Sequence, residues 1–283
     1  MRILVTGLGG FTGHYVQREL EEHGHQVVGL TADLTNLEEV KQEIRSVQPE
    51  AVIHLAAMSF VVHGDANVFY RVNLIGTRNF LEALAEHAPD IQSVLLASSA
   101  NIYGNATSGI IDESVCPSPM NDYAVSKLAM EYMARLWMDK LPIVIARPFN
   151  YTGVGQTISF LLPKIVDHFR RGASEIELGN LDVARDFSDV RTVAAIYRKL
   201  VESSPVGEVF NVCSGEAFSL SEVLNMMAEI AGYAIKVNVN PSFVRANEVK
   251  RLVGSSDKLA RHMGVQDRIS LRSTLEWMYS ASA

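Results

Sequence analysis

Residues 2–13 read R-I-L-V-T-G-L-G-G-F-T-G, and this stretch decides the fold. Its apolar opening is typical of a buried strand, and Gly7, Gly10 and Gly13 follow before a helical pattern begins. In a strand, glycine turn and helix of this order, bare backbone lets a pyrophosphate approach the amino terminus of the helix. The alternative is an ordinary tight turn. The position directly after an amino-terminal strand favours dinucleotide binding.

Outward from this turn, residues 1–150 alternate strand-like and helical segments, which predicts a doubly wound parallel α/β sheet. The predicted strands are 26–30, 51–55, 93–97 and 143–146, and the main predicted helices are 37–47, 65–87 and 122–140. After residue 150 the rhythm loosens. Residues 151–186 and 216–283 are predicted to form a smaller carboxyl-terminal α/β substrate-binding region, and residues 187–215 to return to the first domain.

Bulk properties exclude several classes of protein. The chain has 283 residues and a formal net charge of −7, which argues against binding to nucleic acid or to an anionic membrane. Cys116 and Cys213 fit neither a metal site nor a disulfide framework. The apolar run at Met1 is too short for a signal peptide, and no run approaches the length of a membrane span. A soluble, cytoplasmic protein is therefore expected.

A tyrosine and a lysine stand four residues apart in the sequence Y-A-V-S-K at 123–127. On a helix, Tyr123 and Lys127 share one face. The ammonium favours the phenolate, whose unperturbed pKa is about 10, so the phenol can exchange a proton with an alcohol or alkoxide near neutral pH. Such a pair also occurs by chance on solvated helices, and the surrounding chain must decide between the two readings.

Three more features are expected at the same carboxyl edge of the sheet as this pair. They are the glycine turn, the small residues Ala56 and Ala57 after one strand, and Ser99 after the next. Together the features resemble the extended short-chain dehydrogenase/reductase family, over nearly the whole chain, and imply its Rossmann-type fold. The resemblance implies that Tyr123 is the acid/base, that Lys127 lowers its pKa and holds the nicotinamide ribose, and that Ser99 hydrogen-bonds the substrate oxygen. Ser99 is chosen over Ser98 because the family's serine stands four residues before the tyrosine of a Y-G pair, here Tyr103-Gly104.

The same resemblance implies NADP or NAD as the cofactor. The residues expected to bind it are Gly7, Gly10, Phe11, Thr12, Gly13, Asp33, Leu34, Leu55, Ala56, Ala57, Ala97, Tyr123, Lys127 and Pro148. Asp33 stands about 20 residues past the glycine turn, where an acid that binds the adenosine ribose is expected. Because the chain is compressed here, Asp33 can instead follow a missing third strand and touch the adenine. No arginine follows Leu30 directly, and the choice between NAD and NADP stays open.

The second half of the chain resembles nucleotide-sugar members of the family, most of all the GDP-4-keto-6-deoxy-D-mannose reductases. The matching stretches are R-P-F-N at 147–150, G-V-G-Q at 153–156, R-D-F-S-D-V at 185–190 and N-V-C-S-G at 211–215. The implied substrate-binding residues are Ser99, Asn101, Asn150, Lys164, Arg185, Arg245 and Glu248. By that resemblance Arg185 and Arg245 bind the diphosphate of a GDP-linked sugar. Paired guanidinium donors suit phosphate in an otherwise acidic protein. Glu248 would bind the nucleoside ribose, Lys164 the nucleotide, and Asn150 the sugar or a phosphate.

Departures from the family limit the chemistry. The family's 4,6-dehydratases carry an acidic pair where this chain has Ala100 and Asn101, and fucose-synthase-type enzymes carry a cysteine where Asn101 stands. Reduction, oxidation or 4-epimerisation at one carbon remains. The G-W-x-P usual before the last helix is also absent at 264–267.

The first hypothesis is an NAD(P)H-dependent reductase of a nucleotide-linked 4-keto-6-deoxyhexose, acting at C4. The alternatives are a nucleotide-sugar 4-epimerase with tightly bound NAD and, more remotely, a non-catalytic regulator that senses a dinucleotide.

The predicted helix at 122–140 carries two apolar stripes, more than one buried face requires. One stripe consists of Val125, Leu128, Ala129, Tyr132, Met133 and Leu136, and the other of Met130, Ala134, Trp137 and Met138. The second stripe is interpreted as a subunit interface, with deeper burial in the monomer as the alternative. A homodimer through helices 65–87 and 122–140 is therefore expected.

Overall fold

A computed structural model describes residues 1–59, 65–104, 109–181, 183–241 and 251–281. The chain divides into two compact units. Unit 1 comprises Met1–Ala106, Glu113–Pro148 and Ala194–Val212, and unit 2 comprises Thr107–Asp112, Phe149–Val193 and Cys213–Ala283. Compared with the predicted division, residues 109–112 lie in unit 2 and the returning segment is 194–212.

The strands and helices are as follows. The strands are β1 Arg2–Thr6, β2 Gln26–Gly29, β3 Ala51–His54, β4 Ser93–Ala97, β5 Gly109–Ile111, β6 Ile143–Pro148, β7 Asn150–Thr152, β8 Glu175–Leu178, β9 Ala184–Asp189, β10 Val209–Val212, β11 Ala217–Ser219, β12 Lys236–Val239 and β13 Arg251–Gly254. The α-helices are α1 Phe11–Glu22, α2 Leu37–Val47, α3 Asn67–Phe69, α4 Thr77–His87, α5 Asp122–Arg135, α6 Leu161–Arg170, α7 Val190–Ser203, α8 Leu220–Ala231, α9 Asp257–Met263 and α10 Leu271–Ser280. A π-helical segment, Tyr70–Gly76, joins α3 to α4, and a 3-10 helix, Ala100–Tyr103, follows β4.

Unit 1 contains a parallel sheet of six strands in the order β10-β6-β4-β3-β1-β2. The predicted doubly wound fold is confirmed. The strand order reverses between β1 and β3, where such sheets bind ligands at their carboxyl edge. Because helices cover both faces, the central strands are mostly apolar, and Val52, Val94 and Ile145 pack with Phe80 and Met130 in one core. Among the described residues, no strand pairs with the outer edge of β2.

Unit 2 holds a mixed sheet and a parallel strand pair. Strands β11, β9, β13 and β5 are neighbours in that order, β7 also pairs with β9, and β12 pairs with β8. Helices α6, α8 and α10 bury their apolar faces together with these strands. A capping box formed by Ser219 and Glu222 stands at the start of α8. Strands β5, β7, β9, β11 and β13 were not predicted. All of these except β9, which has six residues, contain only three or four residues, too few for a periodic signal.

Helix α2 spans the predicted residues and is capped by Asn36, whose side chain accepts from the Glu39 N–H. Two other details in unit 1 differ from the prediction. The helix predicted at 65–87 contains the π-helical segment Tyr70–Gly76. The second apolar stripe of the Tyr123 helix, predicted to form a subunit interface, faces the core instead, and part of the first stripe is exposed.

This difference is visible in the burial of α5, which itself ends at Arg135. Met130 and Ala134 are fully buried in the core, and Trp137 and Met138 pack against it. Tyr132 and Leu136, by contrast, expose 56% and 79% of their surface.

Candidate active site

The glycine turn after β1 forms a cradle that other residues would fill. Gly7 has a φ of +71°, and a Cβ built there would lie 3.0 Å from the Ala56 nitrogen. A Cβ at Gly13 would collide with the carbonyl oxygens of Leu8 and Gly7. Helix α1 begins at Phe11, directly after the turn, so the positive end of its dipole faces this space. The cradle fits a dinucleotide pyrophosphate.

The segment after β3 lies against this turn. The Leu55 N–H donates to the Thr6 carbonyl at 3.2 Å, and the Ala56 N–H donates to Thr6 Oγ1 at 3.0 Å. These bonds hold the predicted cofactor residues Leu55 and Ala56 beside Gly7. The small side chains at 56 and 57 leave the carboxyl edge of β3 open.

Lys127 occupies a buried position at the end of β4. Its Nζ donates to the Ala97 carbonyl at 2.7 Å, and the residue is only 3% exposed. Burial lowers the pKa of Lys127 to about 8, while the negative charge of Glu131 acts in the opposite direction. The ammonium retains N–H donors beyond the one that Ala97 accepts.

Tyr123 lies in the first turn of α5, one turn before Lys127 and on the same helix face. The helix is capped by Asn121, whose side chain accepts from the Ala124 N–H at 2.9 Å. The half-buried Tyr123 ring meets the edge of Phe69 at a centroid distance of 6.1 Å.

Ser99 caps the 3-10 helix after β4, and its Oγ accepts from the Asn101 N–H at 3.1 Å. All three predicted catalytic residues thus belong to unit 1.

A buried chain of hydrogen bonds, absent from the sequence-based prediction, links β1 to the helices that follow β3. Thr6 Oγ1 bonds His54 Nδ1 at 2.8 Å, His54 Nε2 bonds Thr77 Oγ1 at 2.9 Å, and Thr77 Oγ1 donates to the Asn73 carbonyl. Because Thr77 has one hydrogen to give, His54 must donate through Nε2 and accept from Thr6 through Nδ1. Burial first, and the charge of Lys127 second, lower the pKa of His54 to about 3.

Asn73, in the π-helical segment, extends this chain to the tyrosine helix. Its side chain accepts from the Met58 N–H, donates to the Met58 carbonyl, and donates to Ser126 Oγ at 3.0 Å. Ser126 Oγ donates in turn to the Tyr123 carbonyl at 2.8 Å. These hydrogen bonds therefore connect the segment 56–58, which includes residues predicted to bind the cofactor, to the backbone of Tyr123. A sequence signal existed: His54 and Asn73 are polar residues within apolar runs.

We expect the free energy of unfolding to depend on pH through His54. Its folded pKa of about 3 lies below the ordinary value of 6.5, so between these values the unfolded chain binds more protons. Stability that is complete above pH 6.5 should fall as the pH decreases, by up to about 1.4 kcal/mol per pH unit. Urea unfolding from pH 7 to pH 4 should show a flatter dependence for His54→Gln. The exposed His23→Gln should keep the wild-type slope, and equal slopes for all three proteins would contradict the assignment.

A second buried network surrounds the end of β6. Arg147 pairs with Glu131 through two hydrogen bonds, of 3.0 Å from Nε and 2.7 Å from Nη2. Its Nη1 donates to the Tyr103 hydroxyl at 2.8 Å, and Tyr103 donates to Asn211 Oδ1 at 2.8 Å. Burial raises the pKa of Tyr103 to about 12, so it stays a phenol. The network joins the 3-10 helix after Ser99, α5, β6 and β10.

Two predicted cofactor residues, Asp33 and Leu34, make contacts within the chain. The exposed Asp33 carboxylate accepts from the N–H and hydroxyl of Thr35, both at 2.9 Å, and these bonds lower its pKa. The Leu34 side chain is buried in the core, so only its backbone is available to a ligand. Pro148 ends β6, at the same carboxyl edge as Ala97.

The predicted substrate residues are placed as follows. Asn101 is exposed in unit 1. In unit 2, Asn150 donates to the Asp186 carbonyl at 3.2 Å, which places it beside Arg185 on β9. Arg185 Nη1 donates to the Ala184 carbonyl, and Lys164 Nζ donates to the Glu177 carbonyl at 2.8 Å. Arg245 and Glu248 lie outside the described residues.

Comparison with known proteins decides the family. Residues 3–213 match the family described as "NAD dependent epimerase/dehydratase family". The chain belongs to this family. It is an NAD(P)-dependent enzyme of the extended short-chain dehydrogenase/reductase type, as the residue pattern predicted. In the part of the chain that the structure describes, no helix is both long and apolar enough to cross a membrane.

Two curated relatives are similar over nearly their full length. A GDP-6-deoxy-D-talose 4-dehydrogenase of Aggregatibacter actinomycetemcomitans is 36% identical over 99% of this chain and 97% of its own. A GDP-6-deoxy-D-mannose reductase of Pseudomonas aeruginosa is 32% identical over 99% and 96%.

Solved structures are similar over the whole chain as well. A putative epimerase from Burkholderia cenocepacia is 52% identical, with a TM-score of 0.94 over 98% of this chain and 96% of that one. RMD from Pseudomonas aeruginosa, complexed with NADPH, is 32% identical, with a TM-score of 0.90 over 99% and 97%. A UDP-glucose 4-epimerase of Thermus thermophilus, in complex with NAD, is 26% identical, with a TM-score of 0.87 over 99% and 98%.

Proposed function

We propose that this enzyme uses NAD(P)H to reduce a nucleotide-linked 4-keto-6-deoxyhexose at C4, and that GDP-4-keto-6-deoxy-D-mannose is its substrate. The observation that carries the proposal is a carboxyl edge with one acid/base pair, Tyr123 and Lys127, and, among the residues that the structure describes, Ala100 and Asn101 where a dehydratase would need a second pair. Ala100 is buried, and Asn101 offers only an amide, so water cannot be expelled from the sugar as in a dehydratase. The two curated relatives act on sugars that differ only at C4, which supports this carbon as the reaction site.

Three residues of unit 1 have different roles in the reduction of one C–O bond. The reduced nicotinamide, when bound, supplies a hydride to C4. Tyr123 gives its phenolic proton to the oxygen that gains charge. Ser99 Oγ already accepts from Asn101, which leaves its hydroxyl hydrogen to donate to the same oxygen. Lys127 holds a positive charge below pH 8 and so stabilises the phenolate left on Tyr123.

Unit 2 would hold the nucleotide. Arg185 offers a planar fork of donors suited to a diphosphate, and Asn150 lies on the strand paired with β9. We assign the diphosphate to Arg185 and Arg245, the nucleoside ribose to Glu248 and a polar part of the nucleotide to Lys164. We assign Asn150 to the sugar or a phosphate, and Asn101 to the sugar beside Ser99.

The decisive experiment incubates the purified protein with GDP-4-keto-6-deoxymannose and NADH or NADPH, followed by identification of the sugar. We expect oxidation of the cofactor in step with formation of a GDP-6-deoxyhexose, whose C4 configuration the analysis will give. A preparation that binds cofactor but oxidises none in the presence of this sugar would rule out the reductase.

A 4-epimerase is the second candidate, favoured by the similarity to the NAD-bound UDP-glucose 4-epimerase. Such an enzyme would retain NAD through purification and need no added reductant. Absorbance of the nucleotide released from denatured protein distinguishes the two functions. A regulator without catalysis would bind dinucleotide but turn over neither kind of sugar.

We also propose a homodimer through α5 and the π-helical segment Tyr70–Gly76. These two elements pack against each other. Ile75 on the π-helical segment, Val125 and Tyr132 on α5, and Leu136 directly after α5 are all exposed. Replacing Leu136 by glutamate should shift the protein from dimer to monomer in light scattering after size-exclusion chromatography. Val265, 86% exposed in unit 2, provides the matched control as Val265→Glu. A monomeric wild type would refute the dimer. The cytoplasmic location stays a prediction.

A further inference from the structure

The segment after β2 begins beside the glycine turn. The Leu30 N–H donates to the Val5 carbonyl at 3.1 Å, and a Cβ built on Gly29 would lie 2.8 Å from Leu8 Cδ2. In dinucleotide-binding folds, the residues after this strand meet the adenosine ribose, and a carboxylate or an arginine there distinguishes NAD from NADP. Thr31 and Ala32 occupy that position here.

A carboxylate from α2, that of Glu43, accepts hydrogen bonds from this segment. Glu43 Oε1 accepts from the Thr31 N–H at 2.9 Å, and Glu43 Oε2 accepts from the Thr31 hydroxyl at 3.0 Å and the Ala32 N–H at 2.7 Å. These backbone and hydroxyl donors are of the kind that a 2′-phosphate needs, and they are already engaged by a negative charge. Glu43 is half-buried, and these three hydrogen bonds hold its carboxylate in place.

Two neighbouring carboxylates act in the same direction as Glu43. Glu39 approaches the Asp33 N–H at 3.4 Å, and Asp33 itself is a carboxylate with a lowered pKa. The positive charge of Arg71, which after the hydrogen bonds from Thr35 also lowers the pKa of Asp33, acts in the opposite direction. A phosphate monoester would bring a further charge of about −1.5 to −2 to this turn. A ribose hydroxyl would instead donate to a carboxylate, which has about four acceptor positions, and Glu43 uses three of them.

We propose that Glu43 is the residue that sets cofactor choice, and that it makes the enzyme bind NAD(H) in preference to NADP(H). The inference rests on cofactor binding at the glycine turn and not on the identity of the sugar. It assigns to a helix residue, 30 positions beyond Gly13, the selection that is usually sought directly after the second strand.

The test is a fluorescence titration of the purified protein with NADH and with NADPH, in the absence of sugar. Wild type should bind NADH more tightly. Glu43→Gln should tighten NADPH binding by about tenfold, because a like charge is removed from a partly solvated site. Its affinity for NADH should change little or decrease, so the ratio of the two dissociation constants falls.

Glu38→Gln is the matched control, since it removes the same charge from the exposed first turn of the same helix. The ratio of the dissociation constants for the two cofactors should be the same in Glu38→Gln as in wild type. Tighter NADPH binding by wild type, an equal change for both cofactors in Glu43→Gln, or the same ratio change in Glu38→Gln would overturn the proposal. Failure of wild type to bind either cofactor would overturn it together with the cofactor site. Failure of sugar reduction alone would leave these binding results intact.

Discussion

Replacing Tyr123 with phenylalanine should lower the turnover of sugar reduction by about 10²- to 10⁴-fold, the range typical for loss of a positioned general acid. The ring should still pack against Phe69, since only the hydroxyl is lost. The dissociation constant for the reduced cofactor should therefore stay near the wild-type value. Single-turnover kinetics with the 4-keto sugar, combined with a cofactor titration, measure the two quantities separately.

Two variants calibrate this result. Tyr132→Phe removes a phenolic hydroxyl from the exposed face of the same helix, and it should retain full turnover. Lys127→Ala should weaken cofactor binding and turnover together, because the ammonium is expected both to hold the ribose and to stabilise the phenolate. Full activity of Tyr123→Phe would mean that the proton comes from another group, and the assignment of the pair would then be wrong.

The fold was predictable because its signals are local and repeated. The run at 2–13 specifies strand, turn and helix within a dozen residues, and the strands buried on both faces read as continuous apolar runs. The structure adds the reason that Gly7 and Gly13 cannot be replaced: their missing Cβ atoms would meet Ala56 and Leu8. The contact between Gly7 and Ala56 joins residues almost 50 positions apart, which a local sequence pattern cannot show.

The parts of the site that depend on tertiary contacts were not predictable. Two equivalent apolar stripes on α5 gave no basis for deciding which one the sheet covers, and the choice of Met130 and Ala134 as an interface was wrong. Asp33 fits the expected sequence distance for a ribose-binding acid, and that assignment stays a prediction. Glu43 reaches the neighbouring residues Thr31 and Ala32 from helix α2. Such a contact between two elements cannot be read from sequence distance to the glycine turn.

The buried pair of Glu131 and Arg147 should have the largest effect on stability. Glu131 is 1% exposed and Arg147 is 4% exposed, and two hydrogen bonds join them. Glu131→Gln would leave the guanidinium buried without its counter-charge, which typically costs about 3–5 kcal/mol. Urea unfolding should therefore show a large loss. Glu22→Gln, which removes a carboxylate from an exposed ion pair with Arg18, should leave the free energy of unfolding nearly unchanged.

The same change should move the pH dependence of catalysis. Lys127 faces the Ala97 carbonyl, and the negative charge of Glu131 raises its pKa against the effect of burial. Without that charge, and with Arg147 still positive, the pKa of Lys127 should drop below 8. Because reduction needs the protonated lysine, the alkaline limb of kcat/KM should shift to lower pH. A double variant, Glu131→Gln with Arg147→Met, removes both charges and should recover part of the lost stability and part of the shift. An unchanged alkaline limb in Glu131→Gln, in protein that remains folded, would show that Lys127 does not control it.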